Sequence, residues 1–346
     1  MNILITGITG FVGGYLARAL ARGEGGGGMP EAPNIFGTSY PQAPTADACN
    51  IFYLDLRAEC DVTDIVRRVR PDWVFHLAAV TNVRSSWQAR RETLETNVLG
   101  THNLLEAVRL EVPRARVLFV SSSDVYGDAA RGETPLSEDQ PFCVTNPYAY
   151  SKAAGEMMCG FYERIEGLDI VIVRQFPHTG PGQAPDFVCS DWARQVVRIE
   201  RGESEPVLRV GNLDVRRDFS DVRDVVEAYV ALMRKGQRGE VYNVCSGKAV
   251  ALREILDFLV GEAGAAGGAN TARLSSARAT APGAQATGGK TAQAPAIRVE
   301  VDPAKLRKTD VPLLIGDNRK IVAETGWSPR ILISQTLRDL LSGVRS

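Results

Sequence analysis

The chain has 346 residues, 44% of them hydrophobic, enough for one large α/β domain or one domain with a smaller lobe. Forty basic against 41 acidic side chains leave a net charge of −1, so there is no global attraction to nucleic acid or to an anionic membrane, and any anionic ligand must be held by local groups. The six cysteines (Cys49, Cys60, Cys143, Cys159, Cys189, Cys245) form no Cys-x-x-Cys pair and there are three histidines, so a reduced, metal-free interior is expected. The opening MNILITG reads as a strand entering a turn instead of a charged leader, and no apolar run reaches membrane-spanning length. A cytoplasmic protein is expected.

In chain order, short apolar runs alternate with helical patterns: NILIT, YLARALAR, NIFGTSY, DIVRRVR, WVFHLAA, TLETNVLGTHNLLEAVR, RVLFVSS, YAYSKAAGEMMCGFYERI and DIVIVRQF. Strand and helix in succession, with wholly apolar strands, predict a doubly wound (Rossmann) parallel sheet covered on both faces, over residues 1–176. After Pro177 the rhythm breaks. Residues 177–346 predict a smaller C-terminal α/β lobe, with some segments returning to the first domain. Within it, residues 261–296 are mostly Gly, Ala, Ser and Thr and read as a flexible low-complexity insertion. GEGGGGMPEAP, after the first helix, reads as a loop expansion.

Gly7, Gly10 and Gly13 lie between the first strand and the first helix. Glycines there permit a tight turn and close approach of backbone N–H groups to a pyrophosphate, so a dinucleotide site is expected. Tyr148 and Lys152 are four apart, on one helix face. A phenol with a pKa of about 10 is a poor acid–base group until a neighbouring ammonium lowers that value. Tyr150 has no lysine four residues on and is assigned to packing or substrate contact. Between turn and helix, SSSDVYG (residues 121–127) puts hydroxyls and a carboxylate at a strand end. His76 reads as a satisfied core histidine.

Gly-x-x-Gly-x-x-Gly in the first βα turn, with Tyr-x-x-x-Lys downstream, resembles the extended short-chain dehydrogenase/reductase family of NAD-dependent epimerase/dehydratase type. The resemblance implies that Gly7, Gly10, Phe11, Val12 and Gly13 bind NADP or NAD, with Asp55 and Leu56 at the adenine edge. It places Leu77, Ala78 and Ala79 beside the pyrophosphate and ribose, and Tyr148 and Lys152 near the nicotinamide ribose. Asn97 would order the nearby helix or a proton-relay water, and Ser122, Tyr148 and Lys152 would be catalytic. NADP-preferring relatives carry an arginine just after the second strand's glycine. Here Tyr40 follows FGTS, with neither that arginine nor an acidic residue, and the choice of NADP or NAD stays open.

GPGQAPDFVCSDWARQV, VGNLDVRRDFSDVRDVVEAY, GEVYNVCSG and VDPAKLRKTDVPLLIGDNRKI resemble GDP-6-deoxy-D-mannose reductases. The resemblance implies a GDP-linked 4-keto-6-deoxy sugar as substrate, touched by Ser122, Ser123, Asp124, Tyr148 and His178, with Arg217, Arg307 and Asp310 on the GDP. In related 4,6-dehydratases the tripeptide beginning at Ser122 is Thr-Asp-Glu or Thr-Ser-Glu, and its glutamate abstracts a proton from sugar carbon 5. Asp124 is one methylene shorter, which tilts the reading to hydride transfer alone. The expected activity is reduction of GDP-4-dehydro-6-deoxy-D-mannose to GDP-D-rhamnose. The alternatives are a GDP-mannose 4,6-dehydratase with Asp124 as base, another nucleotide-sugar epimerase or reductase, and a non-catalytic nucleotide-sensing relative. Two departures stand out: FPH, with Pro177, replaces Phe-Asn-His, and RKTD replaces Arg-Pro-Ser-Asp. The resemblance also implies a homodimer through the helices containing residues 103–108 and 148–158.

Overall fold

The computed structural model describes residues 1–23, 33–41, 50–132, 134–266, 297–306 and 310–346. The chain divides into two compact units. The first comprises Met1–His178, Arg217–Ala249 and Leu313–Ile331. It holds seven strands: β1 (Asn2–Thr6), β2 (Asn34–Ser39), β3 (Asn50–Tyr53), β4 (Trp73–His76), β5 (Arg116–Ser122), β6 (Asp169–Gln175) and β7 (Val241–Val244). They pair in parallel in the order β7-β6-β5-β4-β1-β2-β3. This is the doubly wound sheet that the all-apolar strands predict.

The pleat explains the two covering layers. Ile3 and Ile5 of β1 face one way and pack with Leu16 and Leu20 of α1 (Phe11–Ala21) and Val225, Val226 and Tyr229 of a helix at Val222–Lys235. Leu4, between them, faces the other way. It joins Val62 and Val66 of α2 (Glu59–Val69), Leu104 and Leu105 of α3 (Gly100–Glu111), and Cys159 and Tyr162 of α4 (Pro147–Arg164). A helix hydrophobic on one stripe must bury that stripe, and the sheet offers two faces to bury it on.

The pattern TLETNVLGTHNLLEAVR predicts one continuous helix, and here the structure differs. An α-helical turn (Arg90–Leu94) runs into a π-helical turn (Glu95–Leu99) before α3 begins. The wider turn rotates the residues after it and carries Asn97 into the interior, where it is 3% exposed.

The second unit comprises Thr179–Arg216, Val250–Pro312 and Leu332–Ser346. Three helices, Val188–Glu200, Leu252–Ala266 and Ile333–Arg345, pack on one another through buried Trp192, Val196, Leu256, Leu259, Leu337 and Leu340. Arg345 ties the last of these to Glu200 at 2.6 Å, and Val207–Val210 pairs in parallel with Arg298–Val301. The helix ending at Ala266 corrects the expected start of the low-complexity insertion at residue 261: the alanines and glutamate of GEAGAA are good helix formers and extend it. Residues 267–296 of that stretch, and 24–32 of the earlier loop expansion, lie outside the described residues. Among the described residues no helix is long and apolar enough to cross a membrane.

Candidate active site

The strand order reverses between β1 and β4, and in open α/β sheets ligands bind outside the carboxyl ends of strands at such a point. The glycine turn sits there. Gly7 has φ +71°, and a Cβ on it would lie 3.0 Å from Ala78 Cα; a Cβ on Gly13 would lie 2.3 Å from the Gly7 carbonyl oxygen. Gly10 donates its N–H to that same oxygen at 3.0 Å and precedes α1 without a side-chain cap, which leaves the first amides of the helix open to an anion. Val12 is partly buried against the core. This cradle fits the pyrophosphate of a dinucleotide.

The floor beside the turn is built by a chain of hydrogen bonds. The Thr6 hydroxyl accepts from Leu77 N (3.2 Å) and Ala78 N (3.1 Å), so its own proton goes to His76 Nδ1 at 2.8 Å. Thr101 donates to the Asn97 carbonyl at 2.6 Å, which leaves its oxygen to accept from His76 Nε2–H at 2.9 Å. Burial, reinforced by the Lys152 charge, pushes the His76 imidazole down to about 3, so the ring is neutral. The Asn97 side chain accepts from Val80 N (2.8 Å) and donates to Val80 O (3.0 Å) and Ser151 Oγ (2.9 Å). The segment from Leu77 through Ala78 and Ala79 to Val80 is thereby pinned at both ends. Asn97 acts on the backbone, with its amide and carbonyl both engaged inside the protein.

At the end of β5 lie the residues singled out for chemistry. Helix α4 approaches the sheet closely because Gly155 faces Phe119, where a Cβ would lie 2.4 Å from the ring. Tyr148 (8% exposed) and Lys152 (5%) of α4 are buried there, as are Ser122 (7%) and Ser123 (3%) at the end of β5. Ser122 Oγ accepts from Asp124 N at 3.1 Å. The expected lowering of the Tyr148 pKa by the Lys152 ammonium is not met: burial pushes the phenol well above its ordinary value, the Asp124 charge adds to this and the Ser122 hydroxyl opposes it, while Lys152 does not act on it. Lys152 donates to the Val120 carbonyl at 2.8 Å and lies 5.2 Å from the Phe119 ring centroid. Burial pushes its ammonium down to about 8, against the pull of Cys159 and Glu156. Glu156 is itself held by Arg174 (3.0 Å) and Ser121. Tyr150 is 54% exposed.

At the other end of the turn, Asp55 is engaged by Arg57, whose Nε and Nη2 reach its two oxygens at 2.9 and 2.6 Å and hold its carboxyl below the usual range. Leu56 is buried, its carbonyl accepting from Asn103 Nδ2 at 2.8 Å. Thr9 of the turn and Ser39 at the end of β2 have their hydroxyls 2.9 Å apart.

His178 lies beside the turn, stacked on Phe11 with ring centroids 6.0 Å apart and planes within 5°. Its Nδ1 donates to the Phe176 carbonyl at 3.2 Å, and burial lowers its pKa. Pro177 cannot donate, and its carbonyl accepts from Ser220 N at 3.0 Å. Arg217 is 9% exposed, next to Asp218, whose buried carboxylate accepts from Ser246 N, Gly247 N and Gly316 N at 2.8, 2.9 and 3.2 Å. In the second unit Asp310 lies 3.3 Å from Asn212 Nδ2, and both line a cavity of about 280 Å³ with Asp214, Arg253 and Leu306. Arg307 lies outside the described residues.

The sequence pattern does not single out Thr6, Thr101, Ser151, Arg57 or Asp218. Each gains its meaning from a partner distant in the chain, and only Thr6, ending a strand at the glycine turn, carries a local signal.

Residues 4–340 match the family model of GDP-mannose 4,6 dehydratase. The chain is 33% identical over 341 residues to the GDP-6-deoxy-D-mannose reductase of Pseudomonas aeruginosa, covering 99% of this chain and 96% of that protein. To the GDP-mannose 4,6-dehydratase of Vibrio cholerae it is 28% identical over 356 residues, covering 98% and 92%. A solved structure of RMD from Pseudomonas aeruginosa complexed with NADPH aligns with a TM-score of 0.78 at 32% identity, covering 100% of this chain and 99% of that one. The chain belongs to the GDP-mannose 4,6 dehydratase family, among the NAD(P)-dependent nucleotide-sugar enzymes of the extended short-chain dehydrogenase/reductase type.

Proposed function

We propose that this chain reduces the 4-keto group of GDP-4-dehydro-6-deoxy-D-mannose with NAD(P)H, giving GDP-D-rhamnose. The observation that carries the reading is the enclosed set at the end of β5, Tyr148, Ser122 and Lys152, all buried, with Asp124 N donating to Ser122 Oγ at 3.1 Å; burial and the Asp124 charge there hold the Tyr148 phenol above its ordinary pKa, in its protonated form. A ketone reduction ends with a proton delivered to an alkoxide, so a phenol that holds its proton is matched to that task. A dehydratase would begin by removing a proton from the C4 hydroxyl, which asks for the phenolate. Asp124 adds support, being a methylene shorter than the glutamate of the dehydratase tripeptides.

The reduced nicotinamide supplies the hydride when bound. Ser122 hydrogen-bonds the oxygen at C4, and Tyr148 gives that oxygen its proton as negative charge develops there. Lys152, held on the Val120 carbonyl, orients the nicotinamide ribose. Thr6, His76, Thr101 and Asn97 keep the backbone at residues 77–80 in place. In the first unit Arg217 takes a phosphate oxygen. In the second, Asp310 accepts from the guanine N1–H and amino group, in a cavity of a size to take a purine.

The same reading includes a homodimer and a cytoplasmic location. Tyr150, Met157 and Phe161 form an exposed apolar stripe on α4, and Leu110 of α3 is 56% exposed. The five described cysteines are free.

The test is nicotinamide absorbance with purified protein, offering the keto sugar with NADPH or NADH, and GDP-mannose with oxidised cofactor in parallel. Oxidation of the reduced cofactor by the keto sugar, with no keto product from GDP-mannose, is the expected result. Dehydration of GDP-mannose instead would make Asp124 the base of a dehydratase. No reaction with either would leave a nucleotide-binding relative.

A further inference from the structure

Helix α4 carries a buried carboxylate that the reaction above does not use. Glu156 is 4% exposed and lies one turn after Lys152, on the same helix face. Arg174 of β6 grips it, Nε reaching its two oxygens at 3.2 and 3.1 Å and Nη2 the second of them at 3.0 Å, while the Ser121 hydroxyl donates to the first. Ser121 and Arg174 stand directly opposite each other on β5 and β6, so the carboxylate clamps α4 onto both strand ends. The guanidinium is fixed in turn by the Glu138 carbonyl at 2.9 Å and the Tyr126 hydroxyl at 3.2 Å, and it lies 4.9 and 5.1 Å from the Tyr126 and Phe142 ring centroids. Apolar residues of similar volume would serve stability at least as well as a buried ion pair, which points to another use for this one.

Lys152 needs a negative charge nearby. Among the described residues the one hydrogen-bond partner of its buried ammonium is the uncharged Val120 carbonyl. One carbonyl does not replace the hydration that an ammonium loses on burial, so the group gives up its proton unless an anion stands close. His76, from β4, is neutral, and burial holds Tyr148 and Cys159 of α4 in their protonated forms. Asp124, after β5, puts its charge on Tyr148, and Arg174, from β6, carries a charge of the same sign as Lys152. That leaves Glu156. Its oxygens are engaged by Arg174 and Ser121, so it acts on Lys152 as a fixed charge across one helical turn and not through a bond. We propose that Glu156 is a positioning residue: locked by Arg174 and Ser121, its carboxylate keeps Lys152 in the ammonium form, with the donors not used by Val120 left for the nicotinamide ribose. The upward pull of Glu156 on the Lys152 proton, against burial, agrees with this. The proposal deepens the reductase reading and rests on it for the task of Lys152.

The experiment is an NMR titration of the full-length protein, isotope-labelled at the lysine Cε atoms, with the Lys152 signal identified by its loss in Lys152→Met. The signal should titrate near pH 8 in the unaltered protein. In Glu156→Gln it should titrate about one pH unit lower, a roughly tenfold loss of proton affinity, because the negative charge is gone while burial remains. The sign separates this from a packing role, since a loosened helix would admit water to Lys152 and raise the midpoint toward the ordinary 10.5. Glu156→Gln leaves Arg174 buried without its counter-charge, so the double variant Glu156→Gln/Arg174→Met, which removes both charges, is titrated beside it and should show a smaller fall. A midpoint that stays or rises in these variants overturns the proposal. With the keto sugar and reduced cofactor, turnover by Glu156→Gln should be about twofold lower at pH 7 than at pH 6 once each rate is divided by that of the unaltered protein. A ratio that does not change with pH overturns the link from this charge to the reaction. An unaltered protein that ignores the keto sugar would instead overturn the reductase reading, and the midpoints would still decide what holds the charge on Lys152.

Discussion

At the end of β4, His76 is enclosed between Thr6 and Thr101, and every donor in that chain meets an acceptor. One strand away, at the end of β5, Tyr148 and Lys152 are as deeply enclosed, yet the charged form of each is disfavoured by its surroundings. The first cluster stays neutral, and its complete hydrogen bonding makes it a rigid support. In the second, burial makes Tyr148 hold its proton and makes Lys152 give its proton up more readily, which is where proton chemistry can be performed. Burial alone does not separate support from chemistry. What separates them is whether each polar group has a partner for the form it must adopt.

Removing the phenol should break the second cluster outright. Tyr148→Phe should lower turnover by about 10²–10⁴-fold while leaving the NADPH dissociation constant unchanged; a variant with near-normal turnover would sink the assignment of the proton donor. In the first cluster the loss should fall on stability. Asn97→Ala leaves the Val80 N–H and C=O without their partners, and should cost about 2–4 kcal/mol, read from the urea midpoint. A midpoint unchanged by that substitution would show that the segment at residues 77–80 is held by other means.

Lys152→Met sharpens the contrast because activity and stability should move in opposite directions: turnover falls, while the melting temperature at pH 7 rises as a buried ammonium is removed. The native value of about 8 lies below the ordinary 10.5. Below pH 8 both states carry the proton and the native state bears the full cost. Between about 8 and 10.5 the unfolded chain binds more protons, so stability rises with pH and then levels off. The advantage of Lys152→Met should therefore shrink from pH 7 to pH 10; a constant advantage would mean that Lys152 is not destabilised by burial.

His76 gives the smallest effect near neutrality. Its native value of about 3 lies below the ordinary 6.5, so its contribution is complete above pH 6.5 and is lost as the pH falls toward 3. Thermal melts of the protein and of His76→Gln should diverge less at pH 4.5 than at pH 7, and equal divergence at both would mean that the ring does not titrate in this way.

Much of this architecture is legible in the residues alone. The apolar runs place the strands, the glycine spacing marks the first turn, and Tyr148 and Lys152, four apart on a helix, have to share a face. The π-turn around Asn97 is not legible, because one extra residue in a helix barely changes a periodic pattern that is itself irregular. Nor is the bond from Arg57 to the Tyr40 hydroxyl, since its sequence neighbours suggest only an ion pair with Asp55. The extension of a helix to Ala266 is hidden in a run of glycine and alanine whose composition suggests a loop, although its alanines and glutamate favour a helix.

The sequence by itself determined the parallel sheet, the order of its elements and the residue types available for cofactor and carbonyl chemistry, since periodicity and turn chemistry are local properties. The tertiary structure alone decided which of these groups are charged and where Arg57 points. Burial and partners from distant strands set ionisation and orientation, and neither is a property of a residue and its sequence neighbours. The same lysine on a solvated helix would be an ordinary ammonium, and the same histidine on a surface would titrate near neutrality.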